Sequence, residues 1–397
     1  MTSEEVTTTR ITDVIAEIYA TAADREHRKI SPAALLKDLL AAGFGALRVP
    51  AQFGGSDVSF ADYAELLLEL ARADSQFTHI FRAHANFVEL FRAADSAGGD
   101  RLLTAIAGGS FVGPGSNEKT TSTGDDTDTQ VETHDGKLLL TGTKSYSTGS
   151  TYSDWLCVRL QKDGVNSEVV VHRHAPGVTV FEDWDGFGQI FSGTNTVTYE
   201  QVVVDPDLVF RTPSQDFIHF RIAYFQFFHS VTQSGILARL SDDLAQALLS
   251  RNRKLPNGTS GRTADDPQIL AILGEVDAHA ATARVLIQHS AQLFDAYHRA
   301  PVESKAALAQ QLLVDSARVQ VVLSRLLERS TWQFFEAGGG SLLGTSRALD
   351  RHWRNSRAIT SHNPTVYKAR QVGQAVLADA SLREASHPNE IHSKEQS

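Results

Sequence analysis

The chain has 397 residues, 42% of them hydrophobic and 21% charged, the profile of a globular protein with roughly two to three domains. Its formal net charge of -10 argues against a nucleic-acid surface, because phosphate binding is driven by clustered Lys and Arg. No apolar run approaches the roughly 20 residues that span a bilayer, and Met1-Thr2-Ser3-Glu4-Glu5 has no signal-peptide character, so a cytoplasmic protein without a membrane partner is expected.

Up to about Gly109 the chain reads helical. Leu35, Leu36, Leu39 and Leu40 repeat at helical spacing until Gly43-Phe44-Gly45 stops them. A second amphipathic stretch runs from Tyr63 to Ala71, and Asp74-Ser75 supplies capping side chains for a helix starting near Phe77. From Ser110 to Phe210 the texture changes to short apolar runs between Gly, Pro and Asp turns. Leu138-Leu139-Leu140, Val169-Val170-Val171 and Val202-Val203-Val204 predict an antiparallel sheet, with Thr120 to Thr129 as a solvated loop. The single cysteine, Cys157, lies among Trp155, Leu156 and Val158 and reads as a buried strand residue.

Helical texture returns at Thr212. Leu237, Leu240, Leu244 and Leu248 mark one apolar face, Ile269, Leu273 and Val276 a second, and Leu312, Val319, Val322 and Leu326 a third. Helices of roughly 25 residues with such faces form an antiparallel bundle. The expected domains are therefore helices over 1–109, a β-domain over 110–211, a bundle over 212–380 and a polar tail over 381–397.

Late in the chain stand Ala337-Gly338-Gly339, then Leu349-Asp350-Arg351-His352-Trp353-Arg354-Asn355-Ser356-Arg357, then Ser361-His362-Asn363-Pro364. Earlier come Leu47-Arg48-Val49-Pro50, Phe53-Gly54-Gly55, Ser116-Asn117-Glu118, and Gly142-Thr143-Lys144-Ser145-Tyr146-Ser147-Thr148. In this order and spacing, from about Ile11 to Leu377, they resemble the acyl-CoA dehydrogenase superfamily. The resemblance implies an α+β architecture: an N-terminal helical domain, a central antiparallel β-barrel or sandwich, and a C-terminal four-helix bundle. Many dehydrogenases of that type carry Tyr-Glu-Gly where this chain has His362, Asn363 and Pro364, and the glutamate removes the substrate's α-proton. An amide cannot accept that proton, so Asn363 is not such a base.

The departures resemble a smaller branch, the flavin-dependent monooxygenases related to dibenzothiophene monooxygenase, isobutylamine N-hydroxylase and the amino-sugar nitrososynthases. Arg357, His362, Pro364, Tyr367 and Lys368 fit its C-terminal pattern, and Asp183-Trp184, Phe187-Gly188 and Ser192-Gly193 fit its middle one. His84 matches a histidine of an early helix. Ile359 stands where some relatives have a second His, and Pro114 where some have Asn.

The resemblance implies reduced FMN or FAD as cofactor, FMN being preferred, with O2 as co-substrate and oxygen reacting at flavin carbon C4a. Such chemistry requires an orienting hydrogen bond at the flavin, a proton source, and exclusion of water. Thr148 is the candidate for the first task, with Tyr146, Ser147 and Ser116 beside the flavin; a Thr at a strand end is the plainer reading. His362 is the candidate proton source, next to Asn363 and with His84 as a further catalytic candidate, although helix packing explains His84 equally well. Phe81, Phe87, Trp184 and Phe187 would line the substrate pocket, or serve simply as core aromatics. Arg251 and Arg253 would reach the flavin phosphate, and Gly338 and Gly339 would admit backbone to the cofactor or merely end a helix.

No Gly-x-Gly-x-x-Gly opens a βαβ unit, so NAD(P)H is expected on a separate flavin reductase. His172-Arg173-His174 lacks a sequence-fixed third ligand, so no metal is expected. The expectation is a two-component flavin monooxygenase, a homotetramer acting on a small molecule by S-, N- or aromatic C-oxidation. Two alternatives stand beside it: an acyl-CoA dehydrogenase with FAD and a base elsewhere, such as Glu275, and a non-catalytic scaffold protein.

Overall fold

The computed structural model describes residues 3–121, 126–251 and 257–386. Five helices open the chain: α1 (Ser3–Arg28), α2 (Ala33–Ala41), α3 (Phe60–Ala73), α4 (Ser75–Ala94) and α5 (Ala97–Ala107). Side-chain caps set the starts of the central pair. Ser59 Oγ accepts from the Asp62 N–H at 3.0 Å, and Asp74 Oδ1 accepts from the Gln76 N–H at 3.1 Å. Asp74, in extended backbone, thus ends α3 and starts α4, which begins at Ser75 rather than near Phe77. Nearly every side chain of α4 from Ser75 to Phe91 is buried, so this helix forms the axis of the N-terminal region.

Eight strands follow: β1 (Val112–Gly115), β2 (Gln130–His134), β3 (Lys137–Ser147), β4 (Trp155–Lys162), β5 (Val165–His172), β6 (Val178–Phe181), β7 (Asn195–Val204) and β8 (Val209–Arg211). They form two four-stranded sheets of order β1-β4-β5-β8 and β2-β3-β7-β6, a sandwich rather than a closed barrel. Among the described residues one pairing departs from the antiparallel expectation: β1 runs parallel to β4, with Val112 opposite Trp155. The chain leaves β1 for the second sheet and returns to lay β4 beside it in the same direction. Side-chain alternation gives β4 two duties. Leu156, Val158 and Leu160 fill the space between the sheets, whereas Cys157 points outward with Val170 into the helical core. Burial pushes the Cys157 thiol well above its usual pKa, which leaves it a neutral packing group.

Five helices complete the fold: α6 (Gln215–Leu249), α7 (Pro267–Arg299), α8 (Val302–Gly338), α9 (Arg351–Ser361) and α10 (Thr365–Ser386). The three long ones have 35, 33 and 37 residues, longer than the apolar periodicity predicts. They extend because the first half of α6 carries an aromatic face that its aliphatic half does not announce. Phe220 and Tyr224 meet Phe60 and Phe294, Phe228 meets Tyr63, and the Phe220–Tyr297 ring centroids are 4.6 Å apart. Helices before and after the sandwich therefore share one hydrophobic core, and α10 packs on α8 to complete a four-helix bundle. Residues 381–386, expected as tail, continue α10; the rest of the tail lies outside the described residues, as do residues 122–125 of the expected Thr-rich loop.

Candidate active site

Two of the sequence motifs are fastened to each other at the edge of the sandwich. Lys144 Nζ lies 2.7 Å from Glu118 Oε1 with both side chains almost fully buried, and the Ser145 N–H donates to Asn117 O at 2.8 Å. Although burial opposes it, hydrogen bonds from Lys144, Thr129 and the backbone of Asp128 bring the Glu118 pKa down to about 2. This pair stiffens β3 just before a register break between Lys144 and Ser147. There Tyr146 takes a left-handed φ of 56° and turns its ring to solvent, while Ser147 and Thr148 turn inward. Thr148 Oγ1 is 3.0 Å from Thr194 Oγ1, which is 2.7 Å from Ser192 Oγ. Ser147 Oγ is buried and has no partner. Ser116, just past β1, lines a cavity of about 270 Å3 with Arg159, Glu168, Arg221, Ile222 and Phe225.

Facing this edge is a group of imidazoles. His362, at the end of α9, places Nε2 3.2 Å from Arg82 Nη2 and Nδ1 3.2 Å from the Asn363 amide. Arg82 and the Asn363 amide nitrogen, which donates to Gln226 Oε1 at 3.0 Å, can only donate, so they compete for the one lone pair of a neutral imidazole. The His362 ring centroid is 4.4 Å from that of His229, which is 5.8 Å from that of His79. His79 and His229 are buried; neither ring nitrogen of His229 has a hydrogen-bond partner, and His79 has the Gln189 amide beside it. Burial, with Arg82 adding to it and Gln189 opposing, brings the His79 pKa down to about 3. Burial also holds His229 and His362 well below the usual range, with the Arg82 charge second in each case. His362 itself is exposed, with the buried rings of His229 and His79 behind it. Arg82 spreads over the Phe225 ring at 4.9 Å, and Phe225 also lines the cavity at Ser116.

A polar clamp holds the two sides together. The Gln189 N–H donates to Asn355 Oδ1 at 2.7 Å, the Phe191 N–H to Gln76 Oε1 at 2.7 Å, and Arg354 Nη1 to Phe187 O at 2.9 Å. A Cβ on Gly188 would sit 2.2 Å from Arg354 O, so only glycine lets this loop lie so close to α9. Arg351 and His352 anchor the start of α9 on Asp243 of α6, at 2.6 and 2.8 Å.

The structure does not bring every candidate to this place. His84 receives the Val112 N–H on Nδ1 at 3.1 Å, its Nε2 meets Gly45 O at 3.0 Å, and it stacks on Phe111. Both of its nitrogens are thus committed to backbone, and it acts as a packing pin between helix and sandwich. Phe81 packs on Phe44 and Phe111, and Phe87 stacks on Phe91, all inside the helical core. Trp184 donates to Gln189 O at 3.1 Å and so belongs to the clamp. Phe187 is exposed and stacks on Trp353 outside it. Gly338 lets Leu342 close over the end of α8, and Gly339 takes a φ of 59° there, with Arg251 Nη2 3.7 Å from its virtual Cβ. Arg253 lies outside the described residues. Glu275, the alternative base, is held on α7 by Gln333 and Arg329 of α8, and the Gln333 hydrogen bond leads the lowering of its pKa, the reverse of what a base needs. Sequence reasoning missed His79, Arg82 and His229. The signal for the first two was their three-residue spacing, which puts them on one face of α4.

The buried imidazoles make stability depend on pH in a defined sense. Unfolded histidines bind protons near pH 6.5, whereas folded His79 and His229 resist protonation. Their contribution is complete above about pH 6.5 and is lost as pH falls toward about 3. Denaturant unfolding between about pH 6.5 and 5 should show a falling stability, and His79→Leu should flatten that slope by about one proton. An unchanged slope would mean His79 is not held neutral.

Residues 4–110 match the family model of the acyl-CoA dehydrogenase N-terminal domain, and residues 229–367 that of the acyl-CoA dehydrogenase C-terminal domain. The chain is 27% identical over 379 residues to a probable FMNH2-dependent monooxygenase, SfnC, of Pseudomonas putida, covering 92% of this chain and 93% of that one. It is 27% identical over 389 residues to dibenzothiophene monooxygenase of Rhodococcus qingshengii, covering 90% of each. The crystal structure of FMN-bound TdsC from Paenibacillus sp. A11-2 superimposes with a TM-score of 0.85 at 25% identity, over 94% of this chain and 97% of that one. With its two helical regions and its sandwich, the chain belongs to the acyl-CoA dehydrogenase superfamily, among the flavin monooxygenases of that fold.

Proposed function

We propose that the protein is the oxygenase of a two-component system. It takes reduced FMN from a separate NAD(P)H:flavin reductase and uses O2 to oxygenate sulfur, nitrogen or aromatic carbon of a small organic molecule. The observation that carries this reading is the replacement of a proton-abstracting carboxylate by His362 and Asn363, with further imidazoles behind them.

The residues at hand suit a flavin. Ser147 Oγ is a buried polar atom without a partner, and the adjoining Thr148 hydroxyl is fixed by Thr194, so this strand end offers hydrogen bonds to an isoalloxazine edge. When bound, the reduced flavin supplies the electrons that activate oxygen. His362 handles the proton. As an imidazole it can accept a proton at one nitrogen and release one from the other. The buried rings of His79 and His229 limit the access of water behind it.

The outer faces of the bundle carry exposed Val302 and Trp332 on α8 and Val366 on α10, surfaces that suit subunit contacts in a homotetramer. A cytoplasmic setting fits the chain, and among the described residues no helix is long and apolar enough to cross a membrane. Light scattering should return the mass of a tetramer; a monomer would remove the assembly proposal.

Stopped-flow mixing of protein-bound reduced FMN with oxygen tests the chemistry. Oxygen should disappear before the absorbance of oxidised flavin returns. His362→Ala should close that interval and raise hydrogen peroxide release roughly 100-fold. An unaltered interval in the variant would remove the role given to His362. No interval in the wild type would remove the oxygenase reading.

A further inference from the structure

Among the described residues the charges that act on His229 and His362 are positive. Arg82 is half-buried, its Nε is buried without a partner, and burial alone lowers its pKa, to about 10, with no carboxylate contributing. Lys368 on α10 is in the same condition. These two are the permanent cations that act on buried His229. Four buried arginines have carboxylate partners: Arg25 with Asp74, Arg48 with Glu89, Arg221 with Glu168 and Arg351 with Asp243. A guanidinium withdrawn from water without a counter-ion is costly, and Arg82 has none among the described residues. What Arg82 does touch is a neutral ring nitrogen, His362 Nε2 at 3.2 Å, and the face of Phe225 at 4.9 Å. Behind it stand the rings of His79 and His229, whose residues are 8% and 1% exposed, and both nitrogens of His229 are without a partner.

We propose that Arg82 is the recognition point for a negatively charged group on the substrate, so that the molecules oxidised here are small organic anions bearing a carboxylate or a comparable oxyanion. This inference rests on the oxygenase reading of the same site and specifies its substrate class. The guanidinium offers paired N–H donors matched to two oxyanion oxygens. Phe225 and Ile222 supply an apolar bed for the rest of the molecule in the cavity of about 270 Å3, at the small end of ligand sites. Glu168, the carboxylate of that cavity, is already held by both terminal nitrogens of Arg221, at 2.8 and 2.7 Å, and leaves the opening positive. An oxyanion on Arg82 also competes with His362 Nε2 for the same donor. Arrival of the substrate thereby frees the imidazole for proton transfer.

The other source of such an anion is the phosphate of the flavin, and the two are separated by binding measurements that need no oxygen chemistry. Calorimetric titration compares benzoate with benzamide, and separately oxidised FMN, on the wild type and on Arg82→Gln. Benzoate should bind the wild type more tightly than benzamide. Arg82→Gln should weaken benzoate about 10- to 100-fold and leave benzamide and FMN unchanged. Arg82→Lys should keep part of the benzoate preference, and Arg82→Met, which retains the stem over Phe225, serves if the glutamine variant does not fold. Equal or absent binding of benzoate by the wild type would overturn the proposal. A parallel loss of FMN affinity in the variant would overturn it in favour of a phosphate site. Neither result depends on whether the flavin–oxygen experiment succeeds.

Discussion

The site exists because the segment from Asp183 to Thr194 is tied to α9 and α4 at once. The Gln189 N–H reaches Asn355, the Phe191 N–H reaches Gln76, and Arg354 bridges Phe187 O to Glu26 of α1. These are buried or half-buried hydrogen bonds between elements far apart in sequence, and each leaves an unsatisfied polar group if the segment moves away. The segment in turn carries Ser192 and Thr194, which fix the Thr148 hydroxyl, and Gln189, the amide nearest His79. Sandwich edge and imidazole group therefore keep their spacing through one strip of chain. Asp243, gathering Arg239, Arg351 and His352, fixes the other end of α9.

Within that frame the chemistry follows from low polarity next to positive charge. Both conditions push an imidazole toward its neutral form, so His79, His229 and His362 titrate below the ordinary histidine range. The sequence suggested His362 as a proton source, and the relay proposed for it keeps that residue in proton handling. The same positive charge raises the affinity of the opening for anions. Proton handling and substrate selection are thus two effects of one electrostatic arrangement, with Arg82 common to both.

Much of the fold was legible because its motifs do local work. Gly142 to Thr148 forms a strand with an irregular end, Asp74 caps a helix, and the valine runs pair as strands. Helix α1 went unread, because its apolar face of Ile11, Ile15 and Ile18 is set in a mostly polar surface. What could not be read was long-range: the parallel β1–β4 pair, the Lys144–Glu118 pair and the aromatic half of α6. In the site, His362 and Thr148 were visible as positions in motifs. His79, Arg82 and His229 were not, since a histidine or arginine in a helix acquires meaning only from what packs against it. His84 shows the converse, being a conspicuous residue whose nitrogens are both used up by backbone.

The whole account turns on the claim that no carboxylate stands ready to remove a substrate proton beside the flavin. Asn363 is an amide held by Gln226, and Glu275 is tied to the far side of the bundle. Anaerobic titration of the flavin-loaded protein with a saturated acyl-CoA thioester tests this most directly. The account predicts that the absorbance of oxidised flavin stays unchanged at every concentration; bleaching of that absorbance, with formation of the enoyl thioester, would contradict it.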